Sequence, residues 1–414
     1  MRAVLVAVGV VAVGLGAFAA LAPARSVTHR RTPITAATAR GRVVRASCPK
    51  LIPALKVAHC GVLIVPELYS KPNGPKIRLP YAIVPAIHRR PGAEPIVHLT
   101  GGPGGLDFGE AAKMIAAGLN RNNELILLEQ RGSYFASPAL TCSVIDRYEQ
   151  QLLSLPYDGA AAERLALAAV RTCRRQLIAK GADVAAYNTT ENALDFVALR
   201  RALRIRQWNV FGVSYGTDLA LRLMKDDPTG IRSVTLDSTV PTAVVTLPRF
   251  WANARAGVDA VFTACNAQPA CAKAYPHLQS TFNALVSQLE AHPNVTTVPL
   301  PTGGSVHVVL DGGALLNWLV SISEATPLFT QVPADISALA AGNALPIAET
   351  RVAGVTPAGY LNYGLLYSVA CQEWAPFASA RAVLTAGRRT FPTYPASVLS
   401  QAPQFPYFNA ICRA

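Results

Sequence analysis

The chain has 414 residues, of which 51% are apolar and 15% charged, and its formal net charge is +14. Such a composition can bury a sizeable core, in one large domain with an insertion or in two domains, and it excludes wholesale disorder. The positive excess forms neither an arginine-rich helix nor an aromatic-basic stripe, which excludes the usual signatures of nucleic-acid binding.

Met1-Arg2 is followed by an uncharged apolar run over residues 3–22, and Ala22-Pro23-Ala24 supplies small residues where a signal peptidase reads. Residues 1–24 therefore read as a signal peptide cleaved after Ala24. Left uncleaved, the run is nearly long enough to span a bilayer. Residues 25–47 read as a polar, basic leader carrying Arg25, His29, Arg30, Arg31, Arg40, Arg42 and Arg45. It is either a solvated segment or a weak attachment to acidic cell-surface components. The expected location is secreted or envelope-associated. In that oxidising setting eight cysteines suggest four disulfides, and pairing of sequence neighbours is expected: Cys48 with Cys60, Cys142 with Cys173, Cys265 with Cys271, Cys371 with Cys412. No spacing suggests a metal site, and no cofactor is expected.

A core is expected over 48–240. Residues 61–65 and 77–84 read as two strands joined by Lys71-Pro72-Asn73-Gly74-Pro75 turn chemistry. Residues 95–99 form a third strand ending in glycines, and 125–128 a fourth, apolar throughout as a buried parallel strand should be. Helical spacing covers 107–120, 144–182 and 190–203, the last with Thr189 or Thr190 as N-cap. Residues 209–213 are a fifth strand, 219–225 a helix and 233–236 a sixth strand. The alternation predicts an α/β fold with a mostly parallel sheet and helices on both faces. Residues 241–355 then turn mainly helical, interrupted by a strand-like stretch at 306–310. They read as a lid inserted after the sixth strand, with 356–414 beginning a C-terminal segment.

Gly212-Val213-Ser214-Tyr215-Gly216 matches G-x-S-x-G between an apolar strand and an amphipathic helix. A serine on so sharp a strand-to-helix turn is held in a strained conformation, and side chains two residues away on either side would collide, hence the glycines. The helix start beneath it favours negative charge. Ser214 is the candidate nucleophile. An acyl-transfer site also needs two backbone N–H groups aimed at the oxyanion. Tyr215, the residue after the serine, is one candidate. Thr100-Gly101-Gly102-Pro103-Gly104-Gly105 supplies the other, Gly102 first and Gly101 second. Its spacing fits neither G-x-G-x-x-G nor a P-loop.

These blocks together resemble the proline iminopeptidase and tripeptidyl aminopeptidase family of α/β-hydrolases. Thr100 to Gly105 is similar to the family's G-G-P-G loop, with Thr100 where its proline iminopeptidases carry His. Glu129-Gln130-Arg131-Gly132-Ser133 resembles D-Q-R-G-S, with Glu129 for Asp. Ser137 to Cys142, Tyr187 to Thr190 with Asp195, Leu199 and Arg200, Val234 to Asp237, and Cys371-Gln372-Glu373 resemble later blocks in the same order. The resemblance spans roughly residues 48–414. It implies the α/β-hydrolase fold and a secreted, exopeptidase-like serine hydrolase that forms an acyl-enzyme on Ser214 and acts on peptides with a free N-terminus.

The resemblance also implies an acid and a base on two further strands near the C-terminus, in the chain order Ser, acid, His. Neither an apolar strand with a following Asp turn nor a late Gly-His occurs before Ala414. The expectation is a member truncated at the C-terminus, lacking its last two strands and two triad residues, and so of doubtful activity. After Ser214 only His277, His292 and His307 occur, each in a surface or structural context. His59 and His98 do not match a base, and Asp237, which ends the sixth strand, reads as structural. Glu290 and Glu324 in the lid could each receive a peptide amine, with nothing to choose between them. The alternatives are a secreted esterase or lipase-like hydrolase taking small esters, or a non-catalytic binding protein on the same fold.

Overall fold

The computed structural model of the protein describes residues 39–414, apart from 158, 243–244, 302, 325, 356–359 and 404–405. The expected signal peptide, and the expected leader up to residue 38, lie outside the described residues.

The sheet is built from β1 (Arg42–Arg45), β2 (His59–Pro66), β3 (Lys76–Val84), β4 (Ile96–Leu99), β5 (Leu125–Leu128), β6 (Trp208–Val213) and β7 (Ile231–Asp237), in the spatial order β1-β2-β3-β5-β4-β6-β7. The neighbours β5, β4, β6 and β7 run parallel, and β1 to β3 flank them antiparallel. All four β5 residues are buried, the pattern of a strand covered on both faces. Its neighbours are joined by crossovers that place helices on the faces: α1 (Ala111–Ala116), α2 (Ser143–Leu152), α3 (Ala160–Ala179), α4 (Thr189–Ala202) and α5 (Tyr215–Asp226). His98 and Leu99 of β4 stand level with Phe211 and Gly212 of β6. The glycine loop after β4 and the turn after β6 therefore leave the sheet side by side.

Two strands escaped the sequence reading. Residues 42–45, expected within the leader, are an edge strand, with Val43 and Val44 half-buried between exposed arginines. A strand paired on one side needs only that much apolar surface. The strand-like stretch at 306–310 is β9 (Ser305–Leu310), and its partner β8 (Asn294–Pro299) is too threonine-rich and exposed to show in the pattern. The cap of α4 is Asn188, whose Oδ1 accepts from Glu191 N, rather than Thr189 or Thr190. Thr189 is instead bound by an acid from far along the chain. Among the described residues no strand of the large sheet follows β7, whose residues are all half-buried or exposed.

After β7 come α6 (Thr246–Asn266), α7 (Pro269–Ala274), α8 (Leu278–Ala291), the β8–β9 hairpin, α9 (Gly312–Ser323), α10 (Val332–Ala340) and α11 (Leu345–Ala353). The chain then continues as α12 (Tyr363–Glu373), α13 (Ala380–Thr390), which packs on α6, and α14 (Phe408–Ile411), which packs on α3. Four disulfides join the neighbour pairs expected, 48–60, 142–173, 265–271 and 371–412. They fit an extracytoplasmic compartment. No helix among the described residues is long and apolar enough to cross a membrane.

Arg131 is fully buried, and burial this complete demands partners. Its guanidinium donates from Nε and Nη2 to the two oxygens of Asp195, each at 2.8 Å, and from Nη1 to the carbonyls of Glu67 and Ala186. Tyr69 hydroxyl donates to the same carboxylate. Removing the acid leaves a buried cation with two carbonyl acceptors and the more distant Glu191 carboxylate, 3.8 Å from Nη1. Asp195→Asn is expected to lower the unfolding free energy by about 3–5 kcal/mol in denaturant titrations. An effect below about 1 kcal/mol would mean that the pair adds little.

Candidate active site

Ser214 sits between β6 and α5 at φ +53° and ψ −122°, a conformation rarely tolerated away from glycine. The surrounding backbone over-determines it. Ser214 N–H donates to Asp237 O at 2.9 Å, and Ser214 O accepts from both the N–H and the hydroxyl of Thr217. A Cβ on Gly216 would overlap the Leu99 carbonyl, and one on Gly212 would lie 2.5 Å from Gly216 O. Both glycines are therefore required by close backbone approach. The first turn of α5 is pressed against the end of β4, and the serine side chain is left at the end of the sheet above the N-terminus of a twelve-residue helix.

The loop after β4 wraps the same point. A Cβ on Gly101 would lie 3.0 Å from Ser214 Cβ and 3.5 Å from its Oγ. Gly102 has φ +115°, and a Cβ there would lie 2.7 Å from the backbone nitrogens of Gly104 and Gly105. Gln130 holds this loop: its Nε2 donates to Thr100 O at 2.9 Å, and its Oε1 accepts from Asn192 Nδ2 and, at 3.4 Å, from Gly104 N. A strained serine on a glycine-flanked strand-to-helix turn, beside a glycine loop from the neighbouring parallel strand, decides the architecture. The chain has the α/β-hydrolase fold.

Comparison with known proteins agrees. The α/β-hydrolase-fold family profile matches residues 94–294. The tripeptidyl aminopeptidase of Streptomyces lividans is 26% identical over 223 residues, which is 50% of this chain and 39% of that protein. The YuaR hydrolase of Escherichia coli (strain K12) is 27% identical over 191 residues, 44% of this chain and 36% of that protein. The chain thus spans about four tenths of the length of these curated relatives. Among solved structures, a proline iminopeptidase from Mycobacterium smegmatis shares 16% identity at a TM-score of 0.28, covering 62% of this chain and 67% of that one.

Ser214, Gly102 and Tyr215 line one cavity of about 270 Å³. Thr239, Val240 and Pro241 follow from the end of β7, Thr246, Arg249, Phe250 and Asn253 come from α6, Glu324 from the end of α9 and Trp374 from the end of α12. Of the two lid acids, Glu324 is therefore in the cavity wall and Glu290 is not. No histidine lines it, and Ser214 Oγ has no hydrogen-bond partner among the described residues. His98 is buried in β4, 2.5 Å from Asp107, whose other oxygen accepts Leu128 N–H. That pair is tied up inside the core. His277 precedes α8, His292 follows it, and His307 on β9 bonds Thr297. Asp237 is exposed and accepts from Ser238 Oγ, while its carbonyl carries the elbow.

Sequence reasoning missed the carboxylates packed near Ser214. Glu373 accepts from Thr189 N and Oγ1, and Thr189 Oγ1 meets the Tyr215 hydroxyl at 2.9 Å. This chain of contacts ties the segment after α11 to the residue following Ser214. Asp218, one turn along α5, is only 5% exposed, and its Oδ1 has no hydrogen-bond partner among the described residues. Burial, and then the neighbouring Glu373 charge, push its carboxyl up to about 7. An acid on the apolar face of an amphipathic helix, four residues after the serine, was the available signal.

Two outcomes follow. Gly216→Ala is expected to abolish folding or leave Ser214 displaced, read by loss of near-UV dichroism, because the added methyl meets backbone that cannot move aside. Asp218 carries a raised acid, so the folded chain holds a proton that the unfolded chain loses above its ordinary value of about 4. Its contribution to stability is present in full below pH about 4, falls as pH rises and is spent above about 7. Denaturant titrations from pH 4 to 8 should show Asp218→Asn flattening this decline and exceeding the parent chain's stability at pH 8. A parallel decline in both proteins would exclude Asp218 as the source.

Proposed function

We propose that the protein is a serine hydrolase of the exopeptidase-like kind, with Ser214 as nucleophile and peptides bearing a free N-terminus as substrates. One observation carries the reading: a strained serine between obligatory glycines opens, together with Gly102 and Tyr215, onto a single cavity. In this reading Ser214 Oγ attacks the scissile carbonyl carbon and the carbonyl oxygen becomes an oxyanion facing the backbone N–H groups of Gly102 and Tyr215. The C–N bond then breaks, the amine leaves with the proton lost by the hydroxyl, and water hydrolyses the acyl-serine. The α6–α11 segment acts as a lid, and Glu324, in the wall of the cavity, accepts the peptide α-amine. The tripeptidyl aminopeptidase similarity supports a peptide rather than an ester substrate.

The proton has no imidazole to receive it, because no histidine among the described residues lines the cavity. Turnover by the chain itself is then limited to what the oxyanion site and binding supply, roughly 10³–10⁴-fold over water. The same observation favours a second reading, a binding protein that keeps the cavity without the chemistry. A fluorophosphonate probe separates the two. Covalent labelling of the folded chain that is lost in Ser214→Ala is expected, accompanied by slow release of nitroaniline from Ala-Ala-Ala-nitroanilide. No labelling of the native protein would favour the binder. Turnover at ordinary enzyme rates, lost in Ser214→Ala, would show that a base reaches the serine and overturn the assignment of a base-free site.

A further inference from the structure

The cavity over Ser214 carries two opposite charges that do not meet. Arg249 lies in the first turn of α6 and Glu324 caps the end of α9. Both side chains are exposed, and neither has a hydrogen bond or ion pair with any described residue. Their helices are packed together: a Cβ on Gly257 would overlap Ser323 Oγ, so Glu324 starts from a point opposite Gly257 on α6. Arg249 is eight residues back along that helix, roughly 12 Å at 1.5 Å per residue. No ion pair joins the two charges among the described residues.

Position makes the arginine harder to explain as a stabilising surface charge. A cation in the first turn faces the positive end of the helix dipole, and α6 has no acidic residue there to offset it. At the cavity wall, a guanidinium presents a planar fork that matches a carboxylate. An extended peptide advances about 3.3–3.6 Å per residue. The roughly 12 Å between the two helix positions, shortened or lengthened by flexible side chains, therefore matches about two to four residues.

We propose that Arg249 receives the C-terminal carboxylate of a short peptide whose α-amine is held by Glu324, so that the cavity selects zwitterionic peptides of about two to four residues. The inference rests on the peptide reading above and adds to it the recognition of the second end. A long polypeptide would bring no carboxylate to Arg249, so it would use only half of the site. Peptides blocked at the C-terminus would leave the guanidinium without its anion.

Calorimetric titration of the full chain carrying Ser214→Ala, so that no ligand is consumed, tests this with trialanine, trialanine amide and N-acetyl-trialanine. Trialanine is expected to bind about tenfold more tightly than its amide, the worth of one charge-assisted hydrogen bond. Adding Arg249→Met should weaken trialanine about tenfold, leave the amide unchanged and so erase the difference, and Arg249→Lys should restore part of it. Equal binding of acid and amide, with N-acetylation still weakening both, would overturn the role of Arg249 and leave the peptide reading standing. Discrimination that persists in Arg249→Met would also overturn it. Restoration of full affinity by Ala-Ala-Asp amide would assign Arg249 to an acidic side chain and overturn the end-group assignment. Binding of none of the three would overturn the zwitterion inference and remove the peptide as ligand, while serine labelling would still report separately on the nucleophile.

Discussion

The backbone of α5 begins in contact with the end of β4, closer than any side chain allows. Gly216 lies against the carbonyl of Leu99, and Gly212 lies under Gly216. The whole candidate site hangs on this approach. It forces Ser214 to positive φ, brings the Gly101-Gly102 loop beside the serine, and sets the helix N-terminus beneath it. Parallel pairing of β4 with β6 makes the approach possible, because only level strand ends release both segments at the same height.

Strain of this kind persists only where the surroundings hold it. Here they do so through buried polar groups rather than apolar packing alone. Gln130 grips the glycine loop, and the next residue, Arg131, anchors the core through Asp195 on α4. The same helix offers Thr189 to Glu373 and to the Tyr215 hydroxyl, and Asn192 to Gln130. Ten successive α4 residues, Glu191 to Arg200, are buried, and Arg200 satisfies its charge on Asp227 and on the carbonyls of Ile205 and Arg206. The helix is less an amphipathic cover than a beam through the middle of the domain, joining the loop, the elbow and the segment after α11.

The electrostatics around the serine are uneven. Below it lie two buried acids, Asp218, whose Oδ1 has no hydrogen-bond partner among the described residues, and Glu373, held by Thr189, both shifted upward by burial. Above it, across the cavity, stand Arg249 and Glu324, unpaired among the described residues. The lower pair supports the turn; the upper pair faces solvent and whatever enters. No imidazole connects them among the described residues. On the proposed reading, with Ser214 as nucleophile and backbone donors beside it, such a site binds and polarises a substrate before it can pass a proton efficiently, because positioning and proton transfer are supplied by different groups.

The sequence by itself determined the parallel half of the sheet and the elbow. β5 and β6 are apolar runs whose neighbours are helical, and G-x-S-x-G leaves little freedom where backbones touch. It suggested neighbour pairing of the cysteines without fixing it, and the structure joins those neighbours. β1 and β8 were illegible because an exposed strand needs no strong apolar pattern. Only the tertiary structure decided between Glu290 and Glu324, brought Arg249 to the cavity, and set Glu373 against residues nearly two hundred positions earlier in the chain. Those choices depend on how separately folded helices pack, and packing angle and depth leave no periodic trace along a chain.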